Sequence, residues 1–75
     1  MAELPIAPVK RLAKSKDRDI RIGDTAAAVL IEKTEKFIEL VSIEASSLAR
    51  YAGRKTINET DIRTAVSKLG LNLSQ

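Results

Sequence analysis

Thirteen lysines and arginines face ten aspartates and glutamates, and the chain has neither histidine nor cysteine. Disulfides, thiolate chemistry, zinc sites and imidazole acid/base catalysis are therefore excluded. The side chains left to act are cations, and they are unevenly placed. Residues 1–23 carry six positive and three negative charges, residues 24–49 two and five, and residues 50–56 three positive charges and none negative. Lysines and arginines clustered in this way neutralise phosphates, while backbone N–H groups of loops and helix starts donate to phosphate oxygens. A helix lying on an anionic membrane would be basic along its own polar face, whereas the 24–49 stretch is acidic. The plainer reading of Lys10, Lys16 and Arg18 is solvated charge.

The carboxylates offer little chemistry. Glu32 with Lys36, and Glu35 with Glu39, have the four-residue spacing of neighbours on a helix surface, and no nucleophile–base pair or phosphate-cradling glycine loop accompanies them. No enzyme activity, cofactor, metal or small-molecule substrate is expected. Phe37 and Tyr51 are the only aromatic residues, too few for the stacking platforms of single-strand binders, so any nucleic acid bound should be a duplex.

The element that must position these cations is Asp24 to Gly53, roughly thirty residues without an internal glycine or proline. As one helix it is about 42 Å long at 1.5 Å per residue, against about 29 Å across for a compact globule of this size. Leu30, Thr34, Phe37, Val41, Ala45, Leu48 and Ala52 recur at steps of four or three, and Ile31, Ile38 and Ala45 form a second stripe at steps of seven, which makes the apolar arc wide. One stripe serves the short helices of the same chain and the other a partner's long helix, so an obligate dimer crossing near Phe37 is expected, its core formed by Leu30, Phe37, Ile38 and Val41. The 75 residues read as one domain, with a lead over 1–5 and a tail over 71–75.

Pro5 and Pro8 place a short helix over Ile6–Ser15, with Ile6, Val9, Leu12 and Ala13 turned to the long helix. Ile20 and Ile22 flank Arg21 as a tiny strand that would bury the isoleucines, pair with Thr56 and Ile57, and aim Arg21 outward. Gly23 or Asp24 caps the long helix, Gly53 ends it, and Asn58 with Asp61 opens a third helix over Glu59–Leu69, with Ile62, Ala65, Val66 and Leu69 inward. In an antiparallel dimer the first loop of one chain falls beside the second loop of the other. Arg21 then approaches the partner's Lys55 and Thr56, and paired loops and paired first helices make three basic surfaces.

ELPIAPVKR near the amino terminus, and LARYAGRKTI followed by TDI and AV, resemble the archaeal histones, the tail-less relatives of the eukaryotic core histones, over about residues 3–69. The resemblance implies an all-α histone fold, an intertwined handshake dimer, and double-stranded DNA wrapped with little sequence preference. It implies that Arg21 enters the minor groove where the groove faces the protein, a readout of shape and charge. Lys55 and Thr56 match phosphate contacts of the second loop, and Arg11 and Lys14 match basic positions of the first helix. Arg54 with Asp61 matches a buried ion pair bracing the second loop. Lys10 and Arg18 are possible additional DNA contacts.

The chain also departs from the family pattern. Its first loop is one residue longer and carries Lys16, Asp17 and Arg18 where small residues are usual, which opposes close stacking of DNA-wrapped dimers. At the expected dimer–dimer contact Leu48 and Asp61 match, but Tyr51 replaces a histidine and Thr64 a leucine, removing ~1.5–3 kcal/mol of burial per copy. Tyr51 has the means to donate instead to Asp61 of a neighbour. Gly23 stands where a capping serine or threonine is common. A homodimer or heterodimer limited to short assemblies is expected. The alternative is a histone-fold subunit of a transcription or repair complex that packages no DNA. No apolar run approaches a membrane span and the amino terminus lacks the order of a secretory signal, so a soluble, cytoplasmic, nucleoid-associated chain is expected.

Overall fold

The computed structural model describes residues 3–70; the expected tail over 71–75 and the first two residues of the lead lie outside them. Three helices follow in order, α1 over Ile6–Ala13, α2 over Asp24–Tyr51 and α3 over Glu59–Lys68, with no strand among the described residues. No helix there is long and apolar enough to cross a membrane. Contacts cluster into two units, Met1–Lys36 and Phe37–Gln75.

In the first unit, Pro5 stands at the N-cap of α1 without a side-chain cap, and Lys14 closes the helix by donating its N–H to the carbonyls of Lys10 and Arg11. Proline suits this end because the first N–H groups of a helix lack intrahelical partners. The lead is fastened elsewhere: the N–H groups of Glu3 and Leu4 both donate to Glu35 Oε2, which holds the Glu35 carboxyl below the usual range, Leu4 contributing most. At the start of α2, Ala27 N–H donates to the Gly23 carbonyl at 2.9 Å, so Gly23 takes the cap position and Asp24 lies in the first turn. Ala27 and Ile31 are buried here.

Two expectations fail in this unit. No residue of α1 is buried and Leu12 is 73% exposed, so the apolar face of α1, of which only Val9 is half-buried, is largely uncovered among the described residues. Ile20 is 54% exposed and residues 20–22 form no strand, and Thr56 and Ile57 form none either. A strand of two or three residues exists only through its ladder partner, and a single chain supplies none.

In the second unit, Val41, Ala45 and Ala65 form a buried cluster that Phe37, Leu48 and Val66 flank, and Ala49 is also buried. Ala65 alone of the expected inward residues of α3 is fully covered; Val66 is half-buried, and Ile62 and Leu69 stay exposed. Gly53, at φ 78°, donates its N–H to the Arg50 carbonyl, and Arg54 N–H reaches back to the Ala49 carbonyl, each at 2.9 Å. This pair of bonds is a Schellman stop, which needs the left-handed backbone that glycine adopts without strain. Asn58 then opens α3 with a reciprocal box, its Oδ1 accepting from Asp61 N–H at 3.0 Å and its own N–H donating to Asp61 Oδ2 at 2.9 Å. Lys68 of α3 pairs with Glu44 of α2 at 2.8 Å.

Candidate nucleic-acid interface

The second loop is built by its own ends. The Schellman turn brings Arg54 round so that its guanidinium grips the Asp61 carboxylate with two bonds, Nη1 to Oδ2 at 2.8 Å and Nη2 to Oδ1 at 3.0 Å, while Nη1 also donates to the Thr56 carbonyl at 2.9 Å. Planar two-point pairing of this kind is the strong form of a charge-assisted bond. Asp61 is 5% exposed, and Arg54, then the Asn58 N–H, hold its carboxyl down at about 2; Arg54 is in turn raised by Asp61. The arginine is engaged in bracing, and the braced loop leaves Lys55 and Thr56 exposed.

The first loop is organised by Asp17, whose Oδ1 accepts from Asp19 N–H at 3.2 Å and whose carbonyl accepts from Ile20 N–H at 3.4 Å. Such a local turn is a common use of a loop aspartate. Arg11, Lys14, Ser15 and Arg18 line one open groove, and Arg21 stands exposed further along. Lys10 is placed otherwise: its Nζ lies 2.8 Å from Asp24 Oδ1 and, by that bond, lowers the Asp24 carboxyl. The expected extra DNA contact at Lys10 is thus engaged with a carboxylate in the first turn of α2, where a negative charge is favoured by the helix dipole.

The cations sort into two sets. Lys10, Arg54, Arg63 and Lys68 each have a carboxylate partner at 2.8–2.9 Å. Arg11, Lys14, Lys16, Arg18, Arg21 and Lys55 have none among the described residues, nor do Lys33 and Arg50 of α2. No group of three or more acidic, cysteine or histidine side chains that could hold a metal occurs among the described residues.

Of the residues assigned by sequence to a dimer core, Val41 is buried within its own chain, Phe37 flanks the same cluster, and Leu30 and Ile38 remain 38% and 49% exposed. Of those assigned to a dimer–dimer contact, Leu48 packs on that cluster, Thr64 is exposed, Tyr51 is 95% exposed, and Asp61 has both oxygens engaged by Arg54 and Asn58. Sequence reasoning missed the groove position of Ser15, which lies past the end of α1, where helical spacing no longer says which side chains share a side.

A family described as histone-like transcription factor (CBF/NF-Y) and archaeal histone matches residues 2–66. The chain belongs to this family. The short, long, short order of its helices is the histone fold. This histone-family chain is 44% identical over 66 residues to a chain of the archaeal histone HAN1 of Thermococcus zilligii, covering 88% of this chain and 97% of that protein. It is 32% identical over 66 residues to probable archaeal histone 3 of Methanocaldococcus jannaschii, with the same coverages of 88% and 97%. It is also 40% identical over 70 residues to a component of nuclear transcription factor Y of Arabidopsis thaliana, covering 92% of this chain and half of that protein.

Proposed function

We propose that this histone-family protein is a structural, non-catalytic DNA-binding protein that dimerises and bends or wraps double-stranded DNA with little sequence preference. The observation that carries the reading is the sorting of cations: six of the eight without a carboxylate partner belong to the end of α1 and the two loops. Arg11, Lys14 and Lys55 neutralise phosphates, the Thr56 hydroxyl donates to one, and Arg21 enters a narrow minor groove. Arg54 and Asp61 hold the second loop in shape without touching DNA. The dimer, homotypic or with a sister chain, covers Leu30 and Ile38 and lets the first loop of one chain pair with the second loop of the other. The similarity to two archaeal histones supports this reading, which places the protein on the chromosome.

Short assemblies are part of the proposal. An Asp61 carboxylate already gripped by Arg54 and Asn58 has little left to accept from a neighbour's Tyr51, and Thr64 buries less than a leucine at a symmetric contact. The similarity to a plant transcription factor favours a second reading, a histone-fold component of a transcription complex that packages no DNA.

Salt separates the two. Binding of a fluorescent duplex, followed by anisotropy across a salt series, should weaken with a log–log slope of about −0.9 per phosphate neutralised, and Arg21→Ala should bind about tenfold more weakly at fixed salt. Weak binding at every salt concentration would favour the component that packages no DNA.

A further inference from the structure

We infer that Arg11, Lys14, Ser15 and Arg18 together form one seat for a backbone phosphate of duplex DNA, which adds Arg18 and the Ser15 hydroxyl to the binding set; this rests on the DNA-binding reading above. The four residues line a single open groove at the end of α1. The helix stops at Ala13, but Lys14 N–H still reaches the Lys10 and Arg11 carbonyls and Ser15 N–H donates to the Leu12 carbonyl at 3.0 Å. These bonds carry the helical turn as far as Ser15, and the turn that Asp17 closes with Ile20 N–H brings Arg18 to the same groove.

Among the described residues no carboxylate lines the groove. The nearest in sequence, Asp17, accepts the Asp19 N–H in the loop's own turn. Three like charges brought to one groove repel each other, and an anion relieves that repulsion. A phosphodiester suits the donors: two guanidiniums offer planar pairs of N–H groups, the ammonium a point charge, and the hydroxyl a neutral donor. Lys16 and Arg21 do not line the groove. Lys16 is therefore the control, since losing it removes the same formal charge from the same loop without touching the seat.

The test is duplex binding by anisotropy across a salt series, using the full chain and the variants Arg18→Ala, Arg18→Lys, Lys16→Ala and Ser15→Asp, with helicity checked by circular dichroism. Arg18→Ala should make the log–log salt slope shallower by about 0.9 per chain and weaken binding about tenfold at fixed salt. Arg18→Lys should keep the slope and lose part of the affinity, because charge survives and the two-point bond does not. Ser15→Asp, which places a carboxylate in the seat, should weaken binding at least as much as Arg18→Ala. Lys16→Ala should change affinity less than about threefold. Equal effects of Arg18→Ala and Lys16→Ala would overturn the seat alone. Absence of duplex binding by the wild type at low salt would overturn the DNA reading and the seat with it.

Discussion

Asp61 does three jobs with one carboxylate. It accepts two bonds from Arg54, accepts the Asn58 N–H, and so closes the second loop onto the first turn of α3. Its folded-state value of about 2 lies below the unfolded value of about 3.9. The stabilisation is therefore complete above about pH 4 and is lost as pH falls through about 2. Thermal melts between pH 2 and 6 should show stability falling steeply at the acid end, and Asp61→Asn should flatten that fall while lowering the melting temperature at pH 7 by on the order of 10 °C. Asp24 and Glu35 are lowered too, so some acid sensitivity should survive the substitution. A melting temperature at pH 7 unchanged by Asp61→Asn would contradict the bracing role.

Lys10 shows where residue-level reading runs out. Its pairing with Asp24 joins residues 14 apart across an irregular loop, a contact with no periodic signature in the sequence. The Arg54 pair is little better marked, seven residues apart across a turn; the family resemblance and an aspartate at the start of the next helix point to it, not a spacing rule. The Asn58–Asp61 box, by contrast, is local, and its four residues announce it.

At the scale of elements, punctuation makes the helices legible. Proline at α1, glycine after α2 and α3, and the box before α3 locate every helix to within two residues of the expected bounds, which overrun only into capping turns. Side-chain direction is less legible, because periodicity shows which residues share a face and not what covers it. Leu12 and Ile20 are apolar at the expected positions and remain exposed. The Schellman stop has its own test. Gly53 has open space around it, so Gly53→Ala meets no clash and its cost is that of the left-handed backbone alone, about 1 kcal/mol. A drop of roughly 4–8 °C in melting temperature is expected; no change would mean that the turn does not depend on that conformation.

At the scale of the whole molecule, small side chains set the behaviour. Four of the six buried apolar residues are alanines, and Ile31 is the one large side chain that is fully buried, among the described residues. Alanine contributes little burial, on the order of 0.8 kcal/mol per methyl-sized group. Meanwhile Leu12, Val29, Leu30, Ile38 and Ile43 are exposed by 38–73%. On the dimer reading proposed above, a chain with this distribution gains much of its stability from a second copy or sister chain. Its melting temperature should therefore rise with protein concentration, and Ile38→Asp should abolish the dimer in sedimentation. A melting temperature independent of concentration would contradict an obligate dimer.

Wrapping of duplex DNA is tested most directly by nuclease protection across a protein titration, wild type beside Arg21→Ala. The loop cations predict protected fragments, weaker in the variant, and the engaged Asp61 with Thr64 predicts that the fragments reach an upper size and stop. A ladder that lengthens without limit would contradict the short assembly, and no protection at low salt would contradict DNA wrapping itself.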